Sequence, residues 1–359
     1  MRVVYGPEVF EQPYGGISRY FLEIHKRMPA LGVNSTIVAG LHASRLITGE
    51  PRVRGIRIPA AFEHRGFRVR NVMNRRLVQL QLVAAASPIY HMTYYSGAAV
   101  ARPRDPVVVT VYDLIHARMP EQFPANDPTV AQQASACRRA DIVLAISKTT
   151  KDDLVGLLGV SADKVMVTPL GVTGTTLPFL TAAKREADLL LYVGRRGGYK
   201  NWRGLVTAMT ESCLRDVRLL CIGGGHFDDV EHALLASLGL SARVDQADCS
   251  DRELDICYSR ATAMVYPSLY EGFGLPPLEA MQRGCPVVAA RAGSLPEVLD
   301  EAAVYVDPAS ATSIAIGIAA VLGDPNLAAR LADAGRSRAA AFSWDETARL
   351  TAAAYATLV

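Results

Sequence analysis

The sequence predicts an α/β protein built from two doubly wound, Rossmann-like parallel-sheet domains facing a cleft. Three observations carry this expectation. Short apolar runs alternate with longer helical patterns, as strands and crossover helices do in a parallel sheet. The alternation restarts near residue 189, and 359 residues exceed the roughly 250 to 300 at which a single hydrophobic core stops growing. Between the two runs, residues 169–178 are rich in Gly, Thr and Pro and have the character of a linker.

In order along the first half, strands are expected at Arg2–Tyr5, Ser35–Ala39, Ile89–Met92, Val107–Val111, Ile142–Ile146 and Lys164–Thr168. In the second half they are expected at Leu189–Val193, Arg218–Ile222, Ala263–Tyr266, Val287–Ala290 and Ala303–Val306. A helix should run from the Gly15-Gly16 pair to about Met28, and after Val321 the chain turns helical through Leu327–Ala341 and a last segment, Asp345–Leu358. Ser343 is the expected cap of that last helix, with Glu346 completing a capping box. The expected domains are 1–175 and 176–342. The final helix, 343–359, is expected to pack back on the first domain, although periodicity alone does not say where it goes. Ligands are expected at the carboxyl ends of the strands.

Composition narrows the class. Half the residues are hydrophobic and a fifth are charged, a globular balance. No run of about 18 uncharged apolar residues is present, so no membrane-spanning helix is expected. The first residues lack a signal-peptide pattern, which argues for a cytoplasmic protein. Six cysteines without a C-x-x-C pair suggest reduced thiols rather than a metal or disulfide framework. A net charge of +3 is too small to imply a nucleic-acid partner.

The most informative stretch is Glu271-Gly-Phe-Gly-Leu-Pro-Pro-Leu-Glu279. Two glycines keep side chains away from consecutive backbone N–H groups, and the prolines favour a helix start whose positive end suits a diphosphate. Carboxylates on either side would accept hydrogen bonds from hydroxyls, and a nucleotide sugar carries these on both ribose and hexose. Arg195 and Lys200 follow a strand end beside flexible glycines, where cations would neutralise a diphosphate; a solvated basic loop is the alternative. Gly224, in a run of three glycines after the strand 218–222, would let a base or ribose approach, or simply make a turn. Asp245 lies where a base-recognition loop is one reading. Gly15 and Gly16 before a helix offer another close approach for phosphate, with a structural loop as the alternative. No glycine turn fits G-x-G-x-x-G with an acid about twenty residues on, so a nicotinamide enzyme is poorly supported.

Two histidines, His91 and His116, sit at or just past the ends of strand candidates, where each would hold a sugar hydroxyl, act as a base, or serve the core. Between Arg52 and Val83 eight arginines, among them Arg68, Arg70, Arg75 and Arg76, stand against one acid, Glu63, with apolar residues interleaved. Such a segment would lie on an anionic membrane, grip a phosphate-bearing acceptor, or form a solvated helix face.

Taken together, these motifs resemble the retaining GT-B glycosyltransferases with an E-x7-E signature, a family that includes bacterial mannosyl- and rhamnosyltransferases of surface polysaccharide assembly. The resemblance extends over nearly the whole chain, through the Tyr14–Tyr20, His91–Tyr95, Thr110–His116, Ala145–Thr150, Thr168–Val172, Tyr192–Asn201, Tyr266–Met281 and Phe342–Trp344 segments. It implies that Glu271 contacts donor hexose hydroxyls and Glu279 the ribose. Arg195, Lys200 and the backbone of Gly272, Phe273, Gly274 and Leu275 would hold the diphosphate, which Gly16 would approach from the other domain. Family members often carry His immediately before the Asp of T-[VI]-H-D-L; here Tyr112 stands there, so the active-site role passes to His116, with Asp113 as a lesser candidate. His91 and Tyr94 join the arginines as acceptor-side candidates. The resemblance also implies retention of anomeric configuration, no metal or other cofactor (no Asp-x-Asp is present), and domain closure about residues 169–187. The expected partners are a nucleoside diphosphate sugar, GDP-mannose foremost, and a lipid-linked saccharide at the inner face of the plasma membrane; the alternatives are a transferase that moves sugar from a UDP- or dTDP-sugar to a soluble small molecule, and a non-catalytic sugar-nucleotide-binding protein on the same fold.

Overall fold

In the computed structural model, which describes residues 1–12, 15–59, 67–84, 88–174 and 185–359, two parallel sheets organise the chain. The first contains β1 (Arg2–Tyr5), β2 (Asn34–His42), β3 (Val53–Arg57), β4 (Ile89–Met92), β5 (Val107–Val111), β6 (Ile142–Ala145) and β7 (Val165–Val167), in the spatial order β3-β2-β1-β4-β5-β6-β7. The second contains β8 (Glu186–Val193), β9 (Arg218–Ile222), β10 (Val244–Ala247), β11 (Ala261–Tyr266), β12 (Val287–Ala290) and β13 (Ala303–Val306), in the order β10-β9-β8-β11-β12-β13. In each sheet the order reverses beside the first strand of that half, β1 or β8, which creates a crevice at the carboxyl ends of the strands. The α/β class and its two sheets are as the sequence predicts.

Burial explains why most strands were easy to find. Every residue of β4, β5, β6 and β12 is buried, as helices on both faces of a parallel sheet require, so these segments are continuously apolar. The two strands missing from the sequence expectation, β3 and β10, are the outer edges of their sheets. They read Val-Arg-Gly-Ile-Arg and Val-Asp-Gln-Ala, because an edge half open to water is charged rather than apolar.

The chain divides into two compact units, residues 1–171 with 343–359, and residues 172–342. The last helix, Trp344–Ala356, packs in the first unit against the helix Gly16–Arg27. Its entry is tightly constrained: a Cβ on Gly171 would fall 2.2 Å from the Trp344 nitrogen, and Thr347 Oγ1 donates to the Pro169 carbonyl at 2.7 Å. The expected capping box there is only half made. Ser343 Oγ accepts from the Glu346 N–H at 3.1 Å, but the Glu346 carboxylate turns to Arg349 at 2.6 and 2.7 Å instead of back to the cap. Most of the linker expected at 169–187 lies outside the described residues.

Among the described residues no single helix is long and apolar enough to cross a membrane. The helices Ala311–Gly323 and Pro325–Ala340 pass that test only as a pair bent by 97°, and Ile314, Ile318, Val321 and Leu331 from them are buried in the core of the second unit. All six cysteines are free.

Candidate functional site

In the second unit, the loops leaving β8 and β11 meet at the carboxyl edge of the sheet. Leu269 N–H donates to the Tyr199 carbonyl at 2.7 Å, and Asn201 Nδ2 donates to the carbonyls of Pro267 and Pro308 at 3.0 and 2.8 Å. This stitching brings Lys200 to Glu271: Nζ lies 2.8 Å from Oε1 and also donates to the Tyr266 hydroxyl at 2.9 Å. Burial opposes the charge on Lys200, but Tyr266, Glu271 and Tyr199 outweigh it and raise the ammonium pKa well above its ordinary value, so the lysine is a fixed cation. Glu271 is 7% exposed, and its carbonyl accepts from Ser294 N–H and Oγ at 3.1 and 3.0 Å. A Cβ at Gly293, which has φ +54°, would sit 2.5 Å from that carbonyl oxygen, so this glycine, unnoticed in the sequence, lets the Glu271 loop close.

The turn after Glu271 ends at Gly274, whose φ of +102° makes it the left-handed residue before the helix Leu275–Gln282. The cap is a glycine, and the helix carries Pro in its first turn, so no side chain hydrogen-bonds to its amino end. Gly272 and Phe273 are buried beneath this turn, Phe273 edge-on to Phe342 at 5.6 Å. Glu279 lies on the same helix and accepts from the Tyr258 hydroxyl at 3.0 Å.

The adjacent arginines after β8 have opposite fates. Arg195 is exposed; its carbonyl accepts from the Tyr192 hydroxyl at 2.5 Å, but its guanidinium makes no hydrogen bond or ion pair among the described residues. Arg196 is buried; it donates to the carbonyls of Gly223 at 2.7 Å and His226 at 2.9 Å and pairs with Glu231 at 2.9 and 3.0 Å. It thereby holds the loop Gly223–Gly225, three residues with φ of +90°, +82° and +73°. Gly224 thus belongs to a rigid turn at the end of β9. Asp245 projects from the neighbouring edge strand β10 and is exposed.

In the first unit, Gly15 is extended and caps the helix Gly16–Arg27 without a side chain, while a Cβ on Gly16 would meet nothing within 4 Å. Tyr14 lies outside the described residues. Beyond β5, Asp113 Oδ1 accepts from the Ile115 N–H at 3.1 Å, opening the short helix Ile115–Arg118 that carries His116. The His116 ring stacks on Phe123 at 3.7 Å, and its Nδ1 is 3.1 Å from Asp127 Oδ1. Hydrogen bonds from Thr129 keep the Asp127 carboxyl below its usual range. Tyr94 at the end of β4 joins this cluster: burial, then Asp113 and Asp127, raise its phenol pKa. Neither Asp127 nor Phe123 stood out in the sequence, because neither sits in a motif. Glu8 was missed as well; its part-buried carboxylate accepts from Thr93 Oγ1 at 2.6 Å and Tyr90 OH at 3.3 Å, and withdrawal from water raises its pKa.

Two acceptor-side expectations need correction. His91 lies within β4, is fully buried, and spends both ring nitrogens on the protein: Nδ1 is 2.6 Å from the Tyr355 hydroxyl and Nε2 2.8 Å from Thr110 Oγ1. Burial lowers its pKa to about 3. It fastens the last helix to the sheet and has no nitrogen left for an acceptor. Arg70 is buried on the inner side of the helix Phe67–Ala84, so it is not part of an outward basic face, whereas Arg75 and Arg76 are exposed. The Arg68 side chain lies outside what the structure describes. No group of three or more His, Cys, Asp or Glu is placed to hold a metal among the described residues.

Comparison with known proteins matches residues 14–173 to the family described as Glycosyltransferase Family 4, and residues 176–338 to Glycosyl transferases group 1. The chain is 28% identical to O-antigen chain mannosyltransferase B of Escherichia coli, covering 99% of both chains. It is 34% identical to the MMP alpha-(1->4)-mannosyltransferase of Mycolicibacterium hassiacum, over 63% of this chain and 56% of that one. Among solved structures, sucrose-phosphate synthase from Thermosynechococcus elongatus superposes with a TM-score of 0.81 at 24% identity, covering 99% of this chain and 98% of that one. Anabaena HepE, determined in complex with UDP-glucose, superposes with a TM-score of 0.78 at 18% identity over the whole of both chains.

Proposed function

The chain belongs to the GT-B glycosyltransferases, with a family 4 domain followed by a group 1 domain, and from that premise we propose that it moves a hexose from a nucleoside diphosphate sugar to a lipid-linked saccharide in cell-surface polysaccharide assembly. The observation that carries the proposal is the fixed Lys200 cation beside Glu271, at the mouth of a glycine-capped helix. Lys200, the unengaged Arg195 and the amino end of the helix Leu275–Gln282 would stabilise the charge that develops on a departing diphosphate. Glu271 would meet the hexose hydroxyls and Glu279 the ribose, with Gly224 and Asp245 on the base side and Gly15 and Gly16 offering a further approach to phosphate.

On this proposal the sugar transfers with retention of configuration and without a metal, because the cations and the helix dipole supply what a bridging metal would. His116, with Asp113 beside it, serves the acceptor side. GDP-mannose is the preferred donor, supported by likeness to the E. coli O-antigen mannosyltransferase over nearly the full length of both chains. The HepE complex with UDP-glucose favours a second reading, in which a UDP-sugar is used. The protein would work in the cytoplasm, peripheral on the inner face of the plasma membrane, where lipid-linked acceptors are presented.

A thermal-shift screen against GDP, UDP, dTDP and their sugars tests the donor, since a ligand bound only by the folded state raises apparent stability. Stabilisation by GDP and GDP-mannose alone is expected. A response confined to UDP-sugars would move the donor to the second reading, and no response to any of them would remove the transferase proposal. Transfer in excess EDTA should proceed at the untreated rate.

A further inference from the structure

Glu279 is gripped from the core side of its helix. Its Oε2 accepts from the Tyr258 hydroxyl at 3.0 Å, a contact between residues 21 positions apart. Tyr258 is 2% exposed on the helix Asp251–Arg260, whereas Glu279 is half-buried on the helix Leu275–Gln282. Burial, then the Glu279 charge, raises the Tyr258 phenol pKa well above its ordinary value, so the hydroxyl keeps its proton and always donates.

The tyrosine is itself anchored on several sides. Asp255, one turn before Tyr258, pairs with the buried Arg283, one turn after Glu279, so two rungs tie the helices together. Arg185 donates to the Tyr258 and Ser259 carbonyls at 3.0 and 2.9 Å. At the other end of the helix, Ser250 and Glu253 complete a capping box. The phenol oxygen is therefore placed by a rigid frame. A carboxylate has about four acceptor sites, and a donor fixed on one of them sets the rotation of the whole group.

We infer that Tyr258 is a positioning residue for the donor nucleoside, locking the Glu279 carboxylate in the orientation that accepts from the ribose 2′- and 3′-hydroxyls. This role rests on the reading that places the ribose at Glu279, and it adds what holds that carboxylate still. A carboxylate ordered in advance loses little freedom when the ribose arrives, so binding keeps the gain from each hydrogen bond. The site then favours a nucleotide that carries both ribose hydroxyls. Tyr258 reaches no reacting atom, so its effect falls on donor affinity.

The test is isothermal titration calorimetry of the full chain with GDP, UDP and their 2′,3′-dideoxy analogues. In the wild type, the ribonucleotide that binds should be preferred to its dideoxy analogue by about 30-fold, the scale of a hydrogen bond to a charged group. Tyr258→Phe keeps the ring and removes one oxygen. It should weaken the ribonucleotide about tenfold and leave the dideoxy analogue unchanged. In a Glu279→Gln background the same substitution should cost nothing further, because the carboxylate it positions is gone. Equal wild-type affinity for the ribonucleotide and its analogue, or no binding of either nucleotide, removes the ribose from Glu279 and the role of Tyr258 with it. A Tyr258→Phe protein that keeps the full wild-type preference, or weakens both nucleotides equally, overturns the role of Tyr258 and leaves the ribose at Glu279. So does an undiminished cost of Tyr258→Phe when Gln stands at 279.

Discussion

Lys200 and Glu271 are 71 positions apart in the chain, yet Nζ and Oε1 are 2.8 Å apart, the two side chains largely withdrawn from water and joined by the Tyr266 hydroxyl. The pair has two separable roles, one in stability and one in the proposed chemistry. Removing one partner strands the other charge in a buried place, at a cost of about 3 kcal/mol. Glu271→Ala and Lys200→Met should therefore each lower the melting temperature of the second unit. The double substitution Lys200→Met/Glu271→Gln should recover most of that loss while transfer stays at least about a hundredfold down. Recovery of transfer along with stability would reduce the pair to a structural role.

Arg195 and Arg196 should behave as opposites. Arg195→Gln is expected to leave the melting temperature unchanged and lower transfer about a hundredfold, as loss of one stabilising group for a developing anion does. Arg196→Gln is expected to destabilise the second unit by about 3 kcal/mol, because Glu231 and the Gly223 and His226 carbonyls lose a buried partner. Urea unfolding of both variants, beside their rates, checks the contrast.

His116→Ala should lower kcat with little change in donor KM. If Asp127 positions the imidazole, Asp127→Asn should lower kcat in the same way. A change confined to melting temperature would make Asp127 only a cap for the helix Thr129–Arg139, whose Thr129 N–H it accepts at 2.8 Å.

His91 gives the fold an acid limit. Its folded pKa is about 3 and its ordinary value 6.5, so the unfolded chain takes up the proton first. The stability it confers is fully present above pH 6.5 and is lost as pH falls toward about 3, on the order of 5 kcal/mol at full titration. Glu11 has the opposite sign: burial raises it to about 7, so its contribution is present below its ordinary 4.5 and is lost as pH rises through about 7. Melting temperatures from pH 7 down to pH 4 should fall for the wild type and fall less steeply for His91→Gln.

What could be read from the sequence was what local chemistry writes. Central strands are apolar because both of their faces are covered, and the Glu271–Glu279 turn is legible because left-handed glycine and helix-starting proline are local requirements. The edge strands β3 and β10 were not legible, since half their surface meets water and their composition follows the solvent. Partnerships across the fold were equally silent. Nothing around Arg195 and Arg196 says which turns inward, and His91 and His116, both placed near strand ends, differ only in what tertiary packing sets against them. Tyr355, which takes the Nδ1 side of His91, is 264 positions away.

That bond between Tyr355 and His91 also orders the birth of the molecule. Residues 172–342 form one uninterrupted unit, whereas the other is split and lacks its closing helix until Trp344–Ala356 has been made. During synthesis, which runs from the N-terminus at about 5 to 20 residues per second, the second unit has its entire sequence first. The first unit must wait, with Tyr5, Tyr20 and His91 uncovered, for the helix Trp344–Ala356 to seal it.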